Sequence, residues 1–146
     1  MRPLLLAFSL LISASLSAFA QTTPFTTTAP QVVLYDADTG SVLFEKGADI
    51  PVSPASTAKI MAAEVIFNEL KNGRLSLDDE FSVSETAWRA GGAMARGSTM
   101  FAAVNSRIRV EDLIRGLLIV SGNDAGIILG EGIAGSDSAF AQMMTK

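Results

Sequence analysis

Two short strand-like runs, followed by little but helical patterns, constrain this chain more than any other feature. Val32 to Tyr35 and Val42 to Phe44 are apolar and partly β-branched. Asp36-Ala37-Asp38-Thr39-Gly40 between them is turn chemistry, so the segment reads as a β-hairpin with a loop longer than two residues. Such a hairpin is marginal by itself. Ser53-Pro54 then opens a helix, with Ser53 as N-cap and Pro54 at the first helical position. Ile60, Ala63, Phe67 and Leu70 recur at helical spacing, and Asn72-Gly73 supplies the stop. Leu75 to Val83 is extended, Ser84 starts a short helix, and Gly91, Gly92 and Gly97 mark a loop. Val110 to Val120 reads as a buried helix, interrupted by Ser121-Gly122-Asn123. A further helix runs from about Asp124 to Leu129 or slightly beyond, and Ser136 caps a last one carrying Phe140, Met143 and Met144.

The chain has 146 residues, enough for one domain with a hydrophobic core. Its first twenty read as a secretory signal. Arg2 supplies the positive start, Leu4 to Leu16 an apolar stretch, and Ala18-Phe19-Ala20 a small-x-small cleavage pattern before Gln21. The competing reading is a membrane anchor or core helix, but the run is short for a span. Residues 21–30 are Thr-rich and polar, a flexible leader. The chain carries a formal charge of −4, and removing Arg2 makes it more acidic. With no basic cluster, nucleic acid is excluded as the expected partner.

There is no Cys and no His. That rules out disulfides, a thiol nucleophile and thiolate metal sites, and with them Ser-His-Asp and Cys-His catalysis. A hydrolase built on this sequence needs Lys, a carboxylate or an amine terminus as its base.

Ser56-Thr57-Ala58-Lys59 meets that need. Residues i and i+3 of a helix share a face, so the Ser56 hydroxyl and the Lys59 amine can meet. In the first helical turn the Ser56 N–H has no helical partner, which is what half of an oxyanion hole requires. Positions 56, 59, 60, 63 and 67 form one stripe, otherwise apolar, which turns Lys59 inward. A desolvated lysine loses its proton more readily, and a neutral amine beside a hydroxyl is a base beside a nucleophile. The alternative is a lysine that snorkels to solvent at the helix edge. The second constellation is Ser121-Gly122-Asn123, where Ser121 can relay a proton and Asn123 can hold a substrate amide. Its alternative is a helix-to-helix turn in which Ser121 or Asn123 caps the next helix.

Pro54-Ala55-Ser56-Thr57-Ala58-Lys59-Ile60-Met61 resembles the nucleophile box of low-molecular-mass penicillin-binding proteins. Val110-Glu111-Asp112-Leu113-Ile114-Arg115-Gly116 leading into Ser121-Gly122-Asn123-Asp124-Ala125 resembles their second box, in the Ser-Gly-Asn form of the D-alanyl-D-alanine carboxypeptidases. The Asp36 to Phe44 hairpin and Met100-Phe101 are similar to the family as well. The likeness runs from about Val32 to the end. It makes residues 31–146 the N-terminal part of a catalytic domain. The implied fold is mixed α/β, the penicillin-binding protein and serine β-lactamase-like transpeptidase fold, here with an incomplete antiparallel sheet.

The resemblance implies a serine hydrolase acting on peptidoglycan stem peptides and acylated by β-lactam antibiotics, without cofactor or metal. Ser56 is its nucleophile, Lys59 its base, Ser121 a proton relay and Asn123 a substrate-binding residue. It also implies export to the periplasm or the outer face of the cytoplasmic membrane. Any membrane association is assigned to a segment beyond residue 146. Two departures stand out. Ala58 replaces a frequent Thr, with little expected effect. The third box, Lys-Thr-Gly or Lys-Ser-Gly, is missing, and the apolar pattern around Met143-Met144 stops uncapped. The chain therefore reads as truncated, and residues 21–146 alone are expected to be inactive. Rival readings are an endopeptidase or transpeptidase, a β-lactamase, and a catalytically silent peptidoglycan-binding module.

Overall fold

A computed structural model describes residues 25–146. The expected signal, residues 1–20, and the first four residues of the expected leader lie outside the described residues. The chain divides into two compact units, one ending at Pro51 and the other Val52–Lys146.

The first unit is the hairpin that the sequence predicts. Strand β1, Val32–Tyr35, pairs antiparallel with β2, Val42–Lys46, from Val32 opposite Lys46 to Leu34 opposite Phe44. The register shifts between Leu34 and Tyr35. Asp36 organises the loop. Its Oδ1 accepts from the N–H groups of Asp38 and Thr39 and from the Thr39 hydroxyl, an Asx-type turn. Gly40 takes the left-handed conformation that closes it, at φ 69°. Phe25 meets Phe44 edge to face, ring centres 4.9 Å apart.

The second unit is mainly helical. A 3-10 turn, Ala55–Thr57, leads into α1, Ala58–Lys71. Strand β3, Glu80–Ser82, precedes α2, Glu85–Gly91. Strand β4, Arg107–Arg109, runs directly into α3, Val110–Ile119. Then come α4, Asn123–Ala134, and α5, Asp137–Met143. Strands β3 and β4 form a second antiparallel pair, with Phe81 opposite Ile108. Ile66 of α1, Val83, Ala87 of α2, Leu113 and Leu117 of α3, Ile128 and Leu129 of α4 and Phe140 of α5 meet in one core. Two expected caps are in place: Ser84 Oγ accepts from Ala87 N–H and Ser136 Oγ from Ala139 N–H, each satisfying a helix-start donor. The chain is thus mixed α/β, with two small antiparallel sheets among the described residues.

Three local expectations change. Ser53 does not cap α1. With Ala55 at φ 47° the chain first makes the 3-10 turn, and regular helix starts at Ala58 without a side-chain cap. The Thr57 hydroxyl bonds the Pro54 carbonyl within that turn. The buried face of α1 is Ala62, Ile66 and Glu69, whereas Ile60 is 73% exposed and Phe67 50%. Apolar side chains surround this helix, so spacing alone does not choose its inner face. Helix α4 continues to Ala134 and ends at Gly135 in the left-handed conformation, φ 81°. Gly130 and Gly132 do not break it, because they are packing surfaces. A Cβ on Gly130 would stand 3.2 Å from Phe140 Cβ, and one on Gly132 only 2.2 Å from the Phe81 ring.

Candidate active site

Ser56 sits in the middle of the 3-10 turn, exposed, just ahead of α1. The turn closes through Thr57 N–H to Pro54 O and Ala58 N–H to Ala55 O, which leaves the Ser56 N–H outside its hydrogen bonds. Ala55 immediately before it is left-handed, a conformation that costs a non-glycine residue about 1–2 kcal/mol. Lys59 lies in the first turn of α1, half-buried. The i, i+3 relation brings its Nζ to 3.4 Å from Ser56 Oγ. The same Nζ donates to Asn123 Oδ1 at 2.7 Å, across 64 residues of sequence. Lys59 therefore turns toward α4, away from solvent, although not along the stripe of Ile60 and Phe67.

Asn123 is the first residue of α4. With Oδ1 on the lysine, its Nδ2 remains to donate. That Nδ2 lies over Gly97, where a Cβ would come within 2.6 Å of it. Ser121 occupies the turn between α3 and α4 in the left-handed conformation, φ 56°. Its half-buried hydroxyl makes no hydrogen bond to Ser56, Lys59 or Asn123 among the described residues. The structure thus joins Ser56, Lys59 and Asn123 in one contact chain and leaves Ser121 two residues away from it. A cavity of about 220 Å³ opens beside these groups, lined by Ala58, Lys59, Leu117, Asn123, Ile127 and Phe140 among others. It is mostly apolar, with the amine and carboxamide as polar points, the usual make-up of a small-molecule site.

Asp124 was not singled out by sequence reasoning. It is fully buried. Its Oδ2 accepts from Thr99 Oγ1 at 2.7 Å and Ala102 N–H at 3.0 Å; its Oδ1 accepts from Met100 N–H at 2.9 Å and Ala125 N–H at 3.0 Å. Burial pushes this carboxyl up, but the four donors more than offset it, so it lies below the ordinary carboxylate range. The available signal was an Asp in the first turn of a helix, where negative charge is favourable. Among the described residues no group of three or more His, Cys, Asp or Glu is placed to hold a metal ion.

The family described as D-alanyl-D-alanine carboxypeptidase matches residues 17–146. The D-alanyl-D-alanine carboxypeptidase DacC of Escherichia coli is 40% identical over 113 residues, which is 77% of this chain and 28% of DacC. Among solved structures, penicillin binding protein 5 from Haemophilus influenzae superposes with a TM-score of 0.75 at 36% identity, over 84% of this chain and 35% of that one. The D-alanyl-D-alanine carboxypeptidase DacD from Francisella tularensis gives 0.73 at 36% identity, over 84% and 29%. The chain spans between 28% and 39% of the length of the curated relatives it matches.

Proposed function

The chain belongs to the D-alanyl-D-alanine carboxypeptidase family, and from that membership and the contacts of Lys59 we propose that its protein removes the terminal D-alanine from peptidoglycan stem peptides through an acyl-enzyme. The observation that carries the reading is the position of the Lys59 amine, 3.4 Å from the Ser56 hydroxyl and 2.7 Å from the Asn123 carboxamide. Ser56 Oγ attacks the carbonyl of the penultimate D-alanine while the Lys59 amine takes the hydroxyl proton. The peptide bond to the terminal D-alanine breaks, and its nitrogen leaves with a proton relayed through Ser121. Water then cleaves the ester and restores Ser56. Asn123 Nδ2 holds a substrate carbonyl, and the Ser56 N–H donates to the oxyanion.

A β-lactam presents a strained amide to the same serine. Ring opening leaves the acyl group attached, so β-lactam antibiotics are partners by the same chemistry. A peptidoglycan substrate requires work outside the cytoplasm, in line with removal of residues 1–20 on export and a place in the periplasm or on the outer face of the cytoplasmic membrane.

The test uses protein expressed from its whole reading frame and a peptide ending in D-Ala-D-Ala. The expected result is stoichiometric release of D-alanine, together with slow-turnover acylation by penicillin. Rapid penicillin hydrolysis without D-alanine release would make it a β-lactamase. Peptidoglycan binding with neither reaction would make it a silent module.

A further inference from the structure

We propose that Asp124 is a positioning residue: it clamps the segment 99–102 to the start of α4 and so fixes the Asn123 carboxamide against the Lys59 amine. The proposal rests on the reading of Ser56, Lys59 and Asn123 as the active site. Asn123 and Asp124 are adjacent, so their side chains leave the helix start in different directions. One reaches Lys59 and the other is sunk among backbone donors. All four hydrogen bonds to the Asp124 carboxylate lie between 2.7 and 3.0 Å, and three come from Thr99, Met100 and Ala102.

The surroundings leave the helix start little room. Asn123 N–H donates to Ser98 O at 2.8 Å, and Gly122 N–H to Gly116 O at 2.9 Å. A Cβ on Gly91 would stand 2.4 Å from Asp124 N, and one on Gly122 would stand 3.0 Å from Asp124 Oδ1. Held this way, the segment also sets Gly97 beneath Asn123 Nδ2. The carboxamide is thus bounded by Lys59 on its oxygen and by Gly97 on its nitrogen. Asp124 closes the frame, since three of its four bonds hold Thr99, Met100 and Ala102, the residues that directly follow Gly97 and Ser98.

Charge matters here as well as shape. Each carboxylate oxygen accepts from one backbone N–H and from a second donor. In Asp124→Asn the NH₂ group must face either Met100 and Ala125 N–H or Ala102 N–H. Donor would meet donor in both orientations, and the segment would loosen although the side chain keeps its size.

The experiment is a double-mutant cycle on protein from the whole reading frame, read as the rate of acylation by a fluorescent penicillin per folded molecule. Asp124→Asn is expected to slow acylation about 100-fold, the scale of a displacement of about 1 Å in a reacting group. In an Asn123→Ala background the same change should have little further effect, because Asp124 acts through Asn123. A purely structural role would give additive losses. Thr99→Val removes one of the four bonds and keeps the buried carboxylate. It should slow acylation in the Asn123 protein and not in the Asn123→Ala protein, which keeps the test available if Asp124→Asn does not fold. Wild-type rates in both variants, or additive losses, would overturn the proposal. A wild-type protein that is never acylated would instead overturn the reading of the site.

Discussion

An amine takes a proton from a hydroxyl only when it has a free lone pair, so Lys59→Arg separates two roles for this side chain. A guanidinium keeps the positive charge and can still bond Asn123, but it does not deprotonate. If Lys59 is the base, Lys59→Arg and Lys59→Ala should both slow acylation by about 100-fold or more, the usual contribution of general-base catalysis. If Arg restores most of the rate, Lys59 is an electrostatic anchor and the base lies elsewhere. The contact of Lys59 with Ser56 was legible because i, i+3 spacing on a helix start needs no knowledge of the rest of the fold. Asn123 was legible only as part of a three-residue pattern, since its partner Lys59 lies 64 positions away. Asp124 was not legible. Three of its four donors come from 22 to 25 residues upstream, in a loop without periodicity.

At the scale of elements, sequence patterns found the hairpin, the short capped helices and the break between α3 and α4, because caps and turn residues act locally. Strand β4 escaped notice. Arg107-Ile108-Arg109 is three residues with two charges, and it becomes a strand only through β3, where Arg107 pairs with Glu80 at 3.1 Å. The length of α4 was underread for a related reason: its glycines look like breakers until Phe81 and Phe140 are set against them. The glycines of this region lead to a test of opposite signs. Gly91→Ala forces a Cβ to within 2.4 Å of backbone at the start of α4. It should destabilise by about 1–3 kcal/mol or more, as overpacking does. Gly126→Ala, inside α4, meets only Leu117 Cδ1 at 3.4 Å, an ordinary contact. It should stabilise by about 0.5–1 kcal/mol through the entropy of the unfolded chain. Urea unfolding of both variants measures the pair, and equal losses in the two would contradict the packing described here.

At the scale of the whole molecule, the two buried carboxylates among the described residues make stability depend on acid. Glu69 is drawn below its ordinary range first by the Arg74 hydrogen bonds, at 2.6 and 2.7 Å, and Asp124 by its four donors. Both are more acidic folded than unfolded. Their contribution to stability is complete above the unfolded carboxyl range, about pH 4, and is lost as pH falls through the folded values. The melting temperature should therefore hold from neutral pH to about pH 5 and drop below about pH 4. A flat profile down to about pH 3 would contradict it. The central claim concerns Ser56, and the most direct measurement is peptide mapping by mass spectrometry of protein from the whole reading frame after reaction with penicillin. The account predicts one penicilloyl adduct, on Ser56, and none in Ser56→Ala protein that melts at the wild-type temperature. An adduct on another residue, or labelling of Ser56→Ala at the wild-type level, would contradict it.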